Sequence, residues 1–212
     1  MANTNNSRAI RPRTLMLVQF SILLALQAII CFTPLGSLPA LGPIVMTLMM
    51  IPVVITGILL GPKAGTLMGF CAGFFSFMVW TFMPPSPVVA FLFTPFYSLG
   101  EIQGNFASLL ICFVPRTIGG TIAGLIPKFF KSGNIAGMIT GAALGSLANT
   151  LGVLGGIALF FAPEYSDVAG RAIMVVMSSM IITSGLPEAT LAAFVAPAVC
   201  KPVQIFLRRA ID

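Results

Sequence analysis

Two charged side chains in this sequence stand where charge is expensive. Arg116 lies about ten residues into an apolar run at 106–127, and Glu188 follows Gly185-Leu186-Pro187 at the head of another at 186–207. An ionisable group inside a bilayer costs ~2.5–3.5 kcal/mol on insertion scales, so each is a functional candidate by default. At 1.5 Å per residue Arg116 sits roughly 15 Å below the outer end of its helix, a depth within reach of Glu188. Two readings stand. The residues can close a buried ion pair that fixes helix packing. Alternatively, with Asn149 alongside, they can form a polar floor for a small anionic or zwitterionic ligand, whose carboxylate would meet the guanidinium fork in a bidentate contact.

Other chemistries are excluded by what is missing. The chain has no histidine, which removes histidine metal sites, histidine-based triads and histidine proton relays together. Five acids leave little for paired-carboxylate work or a calcium or magnesium cage. The cysteines at 31, 71, 112 and 200 lie far apart in apolar runs, with no CxxC and no zinc spacing. They are expected to behave as small buried hydrophobes, and no metal or cofactor is expected. No phosphate-binding loop is present; Gly61-Pro62-Lys63-Ala64-Gly65 is too short and lacks the Ser or Thr. The chain therefore does not hydrolyse ATP by that route.

The elements that must position these residues are membrane helices. Apolar residues make up 58% of the 212 positions and charged residues 8%, too few to clothe a soluble surface. Mean hydropathy is +1.05. A crossing helix needs ~20 apolar residues, and six runs qualify, at about 14–32, 43–61, 64–82, 106–127, 134–161 and 186–207. The first is longer than a signal-peptide core and five others follow it, so it is read as a retained helix. The runs are continuous and not alternating, which argues against a barrel. The expected fold is thus an all-α polytopic membrane protein with a membrane domain at 14–207 between tails at 1–13 and 208–212. Nine basic residues fall on one side of this arrangement and only Arg171 on the other, which places both termini in the cytoplasm. The net charge of +6 then reflects topology and calls for no nucleic acid.

Around Thr183-Ser184-Gly185-Leu186-Pro187-Glu188 a break is expected, because 172–207 as one helix would be about 54 Å long against a ~30 Å core. The sixth span then starts near 186, with 168–182 as a separate outer or membrane-inserted helix. Glycines at 65, 69 and 73, at 137, 141 and 145, and at 152 and 156 mark faces where helices approach closely. Asn149 shares the second stripe. The connection at about 83–105 is long, rich in proline and aromatics, and too apolar to float free, so it is expected to fold over the outer mouth. Trp80 and Phe82, just before it, also suit an interfacial belt.

The stretch Ile51–Gly65 (IPVVITGILLGPKAG), with Phe93-Thr94-Pro95-Phe96-Tyr97, Val114-Pro115-Arg116, Gly145-Ser146-Leu147-Ala148-Asn149-Thr150 and Gly185-Leu186-Pro187-Glu188-Ala189, resembles the substrate-binding S components of energy-coupling factor (ECF) vitamin transporters. The likeness runs along essentially the whole chain and is nearest to the pantothenate-type members. It implies capture of a vitamin on the outer side at nanomolar-type affinity. Import would follow by toppling in the membrane, driven by a transmembrane T subunit and two ABC-type ATPases. Carried over, it implies Arg116, Asn149 and Glu188 as core site positions and Tyr97 and Trp80 as lid or wall. Against pantothenate, Arg116 would meet the carboxylate, Asn149 the amide and Glu188 the hydroxyls. The family's small-residue docking motif on the first helix corresponds to Ser21 and Ala25, with serine in place of one alanine. Alternatives are a related S component for hydroxymethylpyrimidine, pyridoxine, folate or nicotinate, or a stand-alone ion-coupled carrier using Glu188. A membrane enzyme is disfavoured, since no base is present to activate a nucleophile.

Overall fold

The computed structural model describes residues 12–36, 47–100, 102–131, 133–169 and 173–211. The tail before residue 12, the start of the expected second span, Glu101 and Arg171 lie outside the described residues. Eight α-helices follow in order among those described: α1 (Pro12–Phe32), α2 (Met50–Leu60), α3 (Pro62–Phe82), α4 (Ala107–Leu125), α5 (Ile135–Phe160), α6 (Ala162–Ala169), α7 (Ile173–Met180) and α8 (Leu186–Ile211). A bilayer core offers the backbone no water, so each crossing segment must close its own hydrogen bonds, as a helix does. Five stretches are long and apolar enough to cross: Arg13–Phe32, Pro62–Phe82, Ala107–Phe129, Ile135–Phe160 and Met177–Leu207. Leu17, Phe70, Leu110, Leu159 and Phe194 all point outward, exposed apolar side chains that suit lipid as solvent.

Two expected spans take a different form. Of the second, the described residues show α2, with 11 residues, about 16 Å at 1.5 Å per residue. Residues 47–49 before it are not helical. Most of α2 is buried, and it packs against α1, α3, α4, α5 and α8. Apolar on every side, it is an interior helix wrapped by longer ones.

The sixth span does not begin at a break. Between α7 and α8 the chain makes a π-helical turn, Ile181–Gly185, and the apolar stretch runs on as Met177–Leu207. Pro187 brings no N–H and its ring crowds the carbonyl four residues back. The wider turn just ahead of it, in which the Leu186 N–H reaches back to the Ile181 carbonyl, lets the helix continue. At its far end α8 stays helical to Ile211, through most of the expected tail. There Lys201 Nζ donates to the Gly133 carbonyl at 2.6 Å, tying α8 to the α4–α5 turn.

The middle of the molecule is a layer of three helices with α4 between α3 and α5. Gly65, Gly69 and Gly73 of α3 abut Gly120, Arg116 and Phe113 of α4. From the other side Gly145, Gly152 and Gly156 of α5 abut Gly119, Pro115 and Ile111. The α4–α5 crossing is reciprocal. A Cβ on Gly119 would lie 2.6 Å from the Gly145 carbonyl oxygen, and one on Gly145 2.7 Å from that of Gly119. Arg116 precedes Gly119 by about one turn and Asn149 follows Gly145 by about one turn, so this crossing fixes both at one level.

The α3–α4 connection folds back into the bundle. A short 3₁₀ turn, Pro87–Leu92, buries Val89, Ala90, Phe91 and Leu92 completely. A two-stranded antiparallel hairpin follows, β1 (Ser98–Leu99) with β2 (Ile102–Gln103), pairing Ser98 with Gln103. Phe91, Phe93, Ile111, Val153, Phe161 and Tyr165 share one apolar cluster, so the connection is a packed cap over one end of α4 and α5.

Candidate functional site

Arg116 owes its place to the residue before it. Pro115 interrupts α4 and has no N–H to give the Ile111 carbonyl four residues back. Arg116 supplies the missing donor: its NH1 donates to that carbonyl at 2.7 Å. On the other edge of the fork NH2 meets Ser76 Oγ of α3 at 3.4 Å. The Phe93 ring covers the guanidinium at 5.8 Å and itself stacks on Trp80, with centroids 4.6 Å apart and planes at 23°. Arg116 Nε, sealed from solvent, has no hydrogen-bond partner among the described residues.

Glu188 enters from α8, less than one turn after the π-helical segment. Its Oε1 accepts the backbone N–H of Thr47 at 2.6 Å, which ties the non-helical entry to α2 against the α8 wall. Irregular backbone at membrane depth is tolerated where it lines a cavity, and Thr47 lines one. Asn149 of α5 is buried; its side chain makes no hydrogen bond among the described residues, and its Oδ1 is closed off from solvent. Arg116 and Glu188 share the cavity but are not in direct contact: among the described residues no ion pair within 4.0 Å joins them.

These groups line one cavity. Its wall includes Thr47, Ser76, Trp80, Phe93, Arg116, Asn149, Thr150, Met180, Ser184 and Glu188. It offers about 80 Å³ to the centres of water-sized molecules, several times the ~10–15 Å³ that one water needs. A cation and an acid thus face the same space from α4 and α8 without a direct ion-pair contact. Uncompensated buried charge costs several kcal/mol, and an unpaired buried donor or acceptor costs about 1–3 kcal/mol. A ligand carrying a carboxylate for Arg116 and hydrogen-bond donors for Asn149 and Glu188 removes those costs on binding. Among the described residues no group of acids and cysteines is placed to hold a metal.

The remaining expected positions are distributed differently. Trp80 is buried in the cavity wall and not spread at a membrane interface, whereas Phe82 is fully outside at 72% exposure. Tyr97 does not line the cavity; it packs half-buried on the cap, where its carbonyl accepts the Gly104 N–H. Phe93 and Pro85 of the same connection line the cavity instead. Ser21 and Ala25 lie exposed on one face of α1, away from the cavity.

Several wall residues escape a reading of charge and spacing. Ser76 and Thr150 look like ordinary small polar residues of membrane helices, and in the sequence Ser184 belongs to the expected helix break. Cys31 lines the cavity and takes a hydrogen bond from buried Gln27 Nε2 at 3.2 Å. Tyr165 of α6 lies behind Met180, its hydroxyl on the thioether sulfur at 3.7 Å; burial pushes that phenol up to about 12 and keeps it a donor. The signal legible in the sequence is the charge itself, an arginine deep inside an apolar run.

Comparison with known proteins adds three findings. The family described as "ECF transporter, substrate-specific component" matches residues 15–200. The pantothenic acid transporter PanT of Lactococcus lactis subsp. cremoris (strain MG1363) is 29% identical over 158 residues, 74% of this chain and 76% of that protein. The structure of ThiT from Listeria monocytogenes superposes with a TM-score of 0.57 at 16% identity, over 91% of this chain and 97% of that one.

Proposed function

Because the chain belongs to the ECF transporter substrate-specific component family, a family of multi-pass membrane transporter subunits and not of enzymes, we propose that it captures pantothenate on the outer side of the cell membrane. The observation that carries this reading is the unpaired Arg116 and Glu188 on one cavity wall, with Arg116 Nε and Asn149 Oδ1 left without partners. Pantothenate has the groups that pattern calls for. Its carboxylate suits the Arg116 fork, its amide N–H suits Asn149 Oδ1, and its hydroxyls can donate to Glu188. It has no ring, and the wall's main aromatic faces, Trp80 and Phe93, are already spent on each other and on Arg116. The likeness to PanT supports the same vitamin.

In this reading both termini lie in the cytoplasm, consistent with the basic residues concentrated there, and the vitamin enters beneath the cap at 83–105. Release inside needs work that a chain without a phosphate-binding loop does not do. A transmembrane T subunit and two ABC-type ATPases supply it, docking on the exposed Ser21–Ala25 face of α1. Proteoliposomes test this directly. Together with those partners and ATP the chain should accumulate labelled pantothenate; alone, under a sodium or proton gradient, it should not. Accumulation by the chain alone would overturn the proposal in favour of an ion-coupled carrier.

A further inference from the structure

Of the cavity-wall hydroxyls carried on helical turns, one makes no hydrogen bond among the described residues. Serines and threonines of membrane helices commonly return their hydroxyl to a carbonyl one turn back. On the neighbouring turns Thr150, Thr183 and Thr190 do so, at 3.3, 2.9 and 2.7 Å. Ser184 does not. It is 7% exposed, it lines the cavity, and its Oγ makes no hydrogen bond among the described residues.

The π turn holds it there. Such turns are uncommon and occur preferentially at functional sites. Gly185, the next residue, sits so close to α5 that a Cβ on it would lie 2.8 Å from Thr150 Cγ2. The turn is therefore seated beside Asn149 and Thr150, about one turn ahead of Glu188 on the same wall. Both ends of that wall accept hydrogen bonds: Asn149 Oδ1 is unpartnered, and Glu188 carries a carboxylate. A hydroxyl can both donate and accept, so it completes the set. A ligand hydroxyl that donates to Glu188 can accept from Ser184 at the same time.

Resting on the pantothenate reading above, we infer that Ser184 is a further ligand-binding residue, holding the hydroxyl-bearing end of the ligand between itself and Glu188. It confers selectivity for the hydroxylated acyl chain, while Arg116 holds the carboxylate end whether or not those hydroxyls are present.

The test titrates wild type, Ser184→Ala and Thr183→Ala with pantothenate and with 3,3-dimethylbutanoyl-β-alanine, the same molecule lacking both hydroxyls. Analogue affinities are read by displacement of labelled pantothenate. Ser184→Ala should weaken pantothenate about 3- to 10-fold, one neutral hydrogen bond's worth, and leave the analogue's affinity unchanged. Thr183→Ala alters the same turn on its exposed side and should change neither. Unchanged pantothenate affinity in Ser184→Ala would overturn the assignment. Equal weakening of both ligands would also overturn it, since that marks a structural role. Wild type that takes up no pantothenate would overturn the capture reading itself, and this assignment with it.

Discussion

Replacing Arg116 by methionine separates the cost of the guanidinium to the fold from its value to the ligand. Removing the charge relieves ~2.5–3.5 kcal/mol of insertion cost. Against that, the variant forfeits a charged hydrogen bond to the Ile111 carbonyl, worth ~1.5–3 kcal/mol. It also loses the Phe93 ring contact, ~0.5–2 kcal/mol. The 3.4 Å approach to Ser76 adds little. The terms nearly cancel, so the ligand-free protein should unfold within about 5 °C of wild type, at ~2–4 °C per kcal/mol for a chain of this size. Binding should respond very differently. Truncating one partner of a buried charge pair costs ~2–5 kcal/mol, so pantothenate affinity should fall about 30-fold or more. The assay pairs thermal unfolding in detergent, without vitamin, with calorimetric titration of the same preparation. Unchanged affinity would refute the carboxylate role. A drop in midpoint beyond about 10 °C would show that Arg116 is chiefly a structural residue, satisfying the carbonyl that Pro115 leaves open.

Three further outcomes follow from the same geometry. Glu188→Gln keeps an acceptor for the Thr47 N–H but loses the charge, so titration should show pantothenate weakened about 3- to 10-fold with little change in thermal midpoint. Gly145→Val places a side chain against the Gly119 carbonyl, separates α4 from α5, and should lower stability by ~1–3 kcal/mol in a melting experiment while abolishing binding. Ala25→Trp puts bulk on the exposed face of α1 away from the cavity. It should leave titration with pantothenate unchanged and prevent co-purification with the T subunit and ATPases.

What could be read before folding was set by physics that acts along the chain. Continuous apolar length marks a crossing helix, and the long helices α1, α3, α4 and α5 lie within a few residues of the runs at 14–32, 64–82, 106–127 and 134–161. Four-residue glycine spacing marks close approach, and the stripes of α3 and α5 do meet α4. The failures arise where two structures share one sequence signal. Hydropathy does not distinguish a lipid-facing helix from an interior one, so the run at 43–61 does not announce that α2 is buried among the other helices. Gly185 and Pro187 mark a disturbed helix, but a break and a π turn both disturb it, and the choice rests on packing against Thr150. Tyr97 and Phe93 lie four residues apart in one aromatic cluster; which of them meets Arg116 depends on the 3₁₀ turn at Pro87–Leu92. The separation of Arg116 from Glu188 was likewise invisible, because it depends on a carbonyl and a backbone amide that claim the two side chains first.

Isothermal titration of the detergent-purified chain with pantothenate, with no nucleotide and no partner subunit present, reaches the capture function most directly. Tight, saturable one-to-one binding is the expected result, since the cavity, its cation and its acceptors all belong to this chain. A folded preparation that gives no heat with pantothenate and binds a ring vitamin instead would contradict the assignment of the Arg116–Asn149–Glu188 wall.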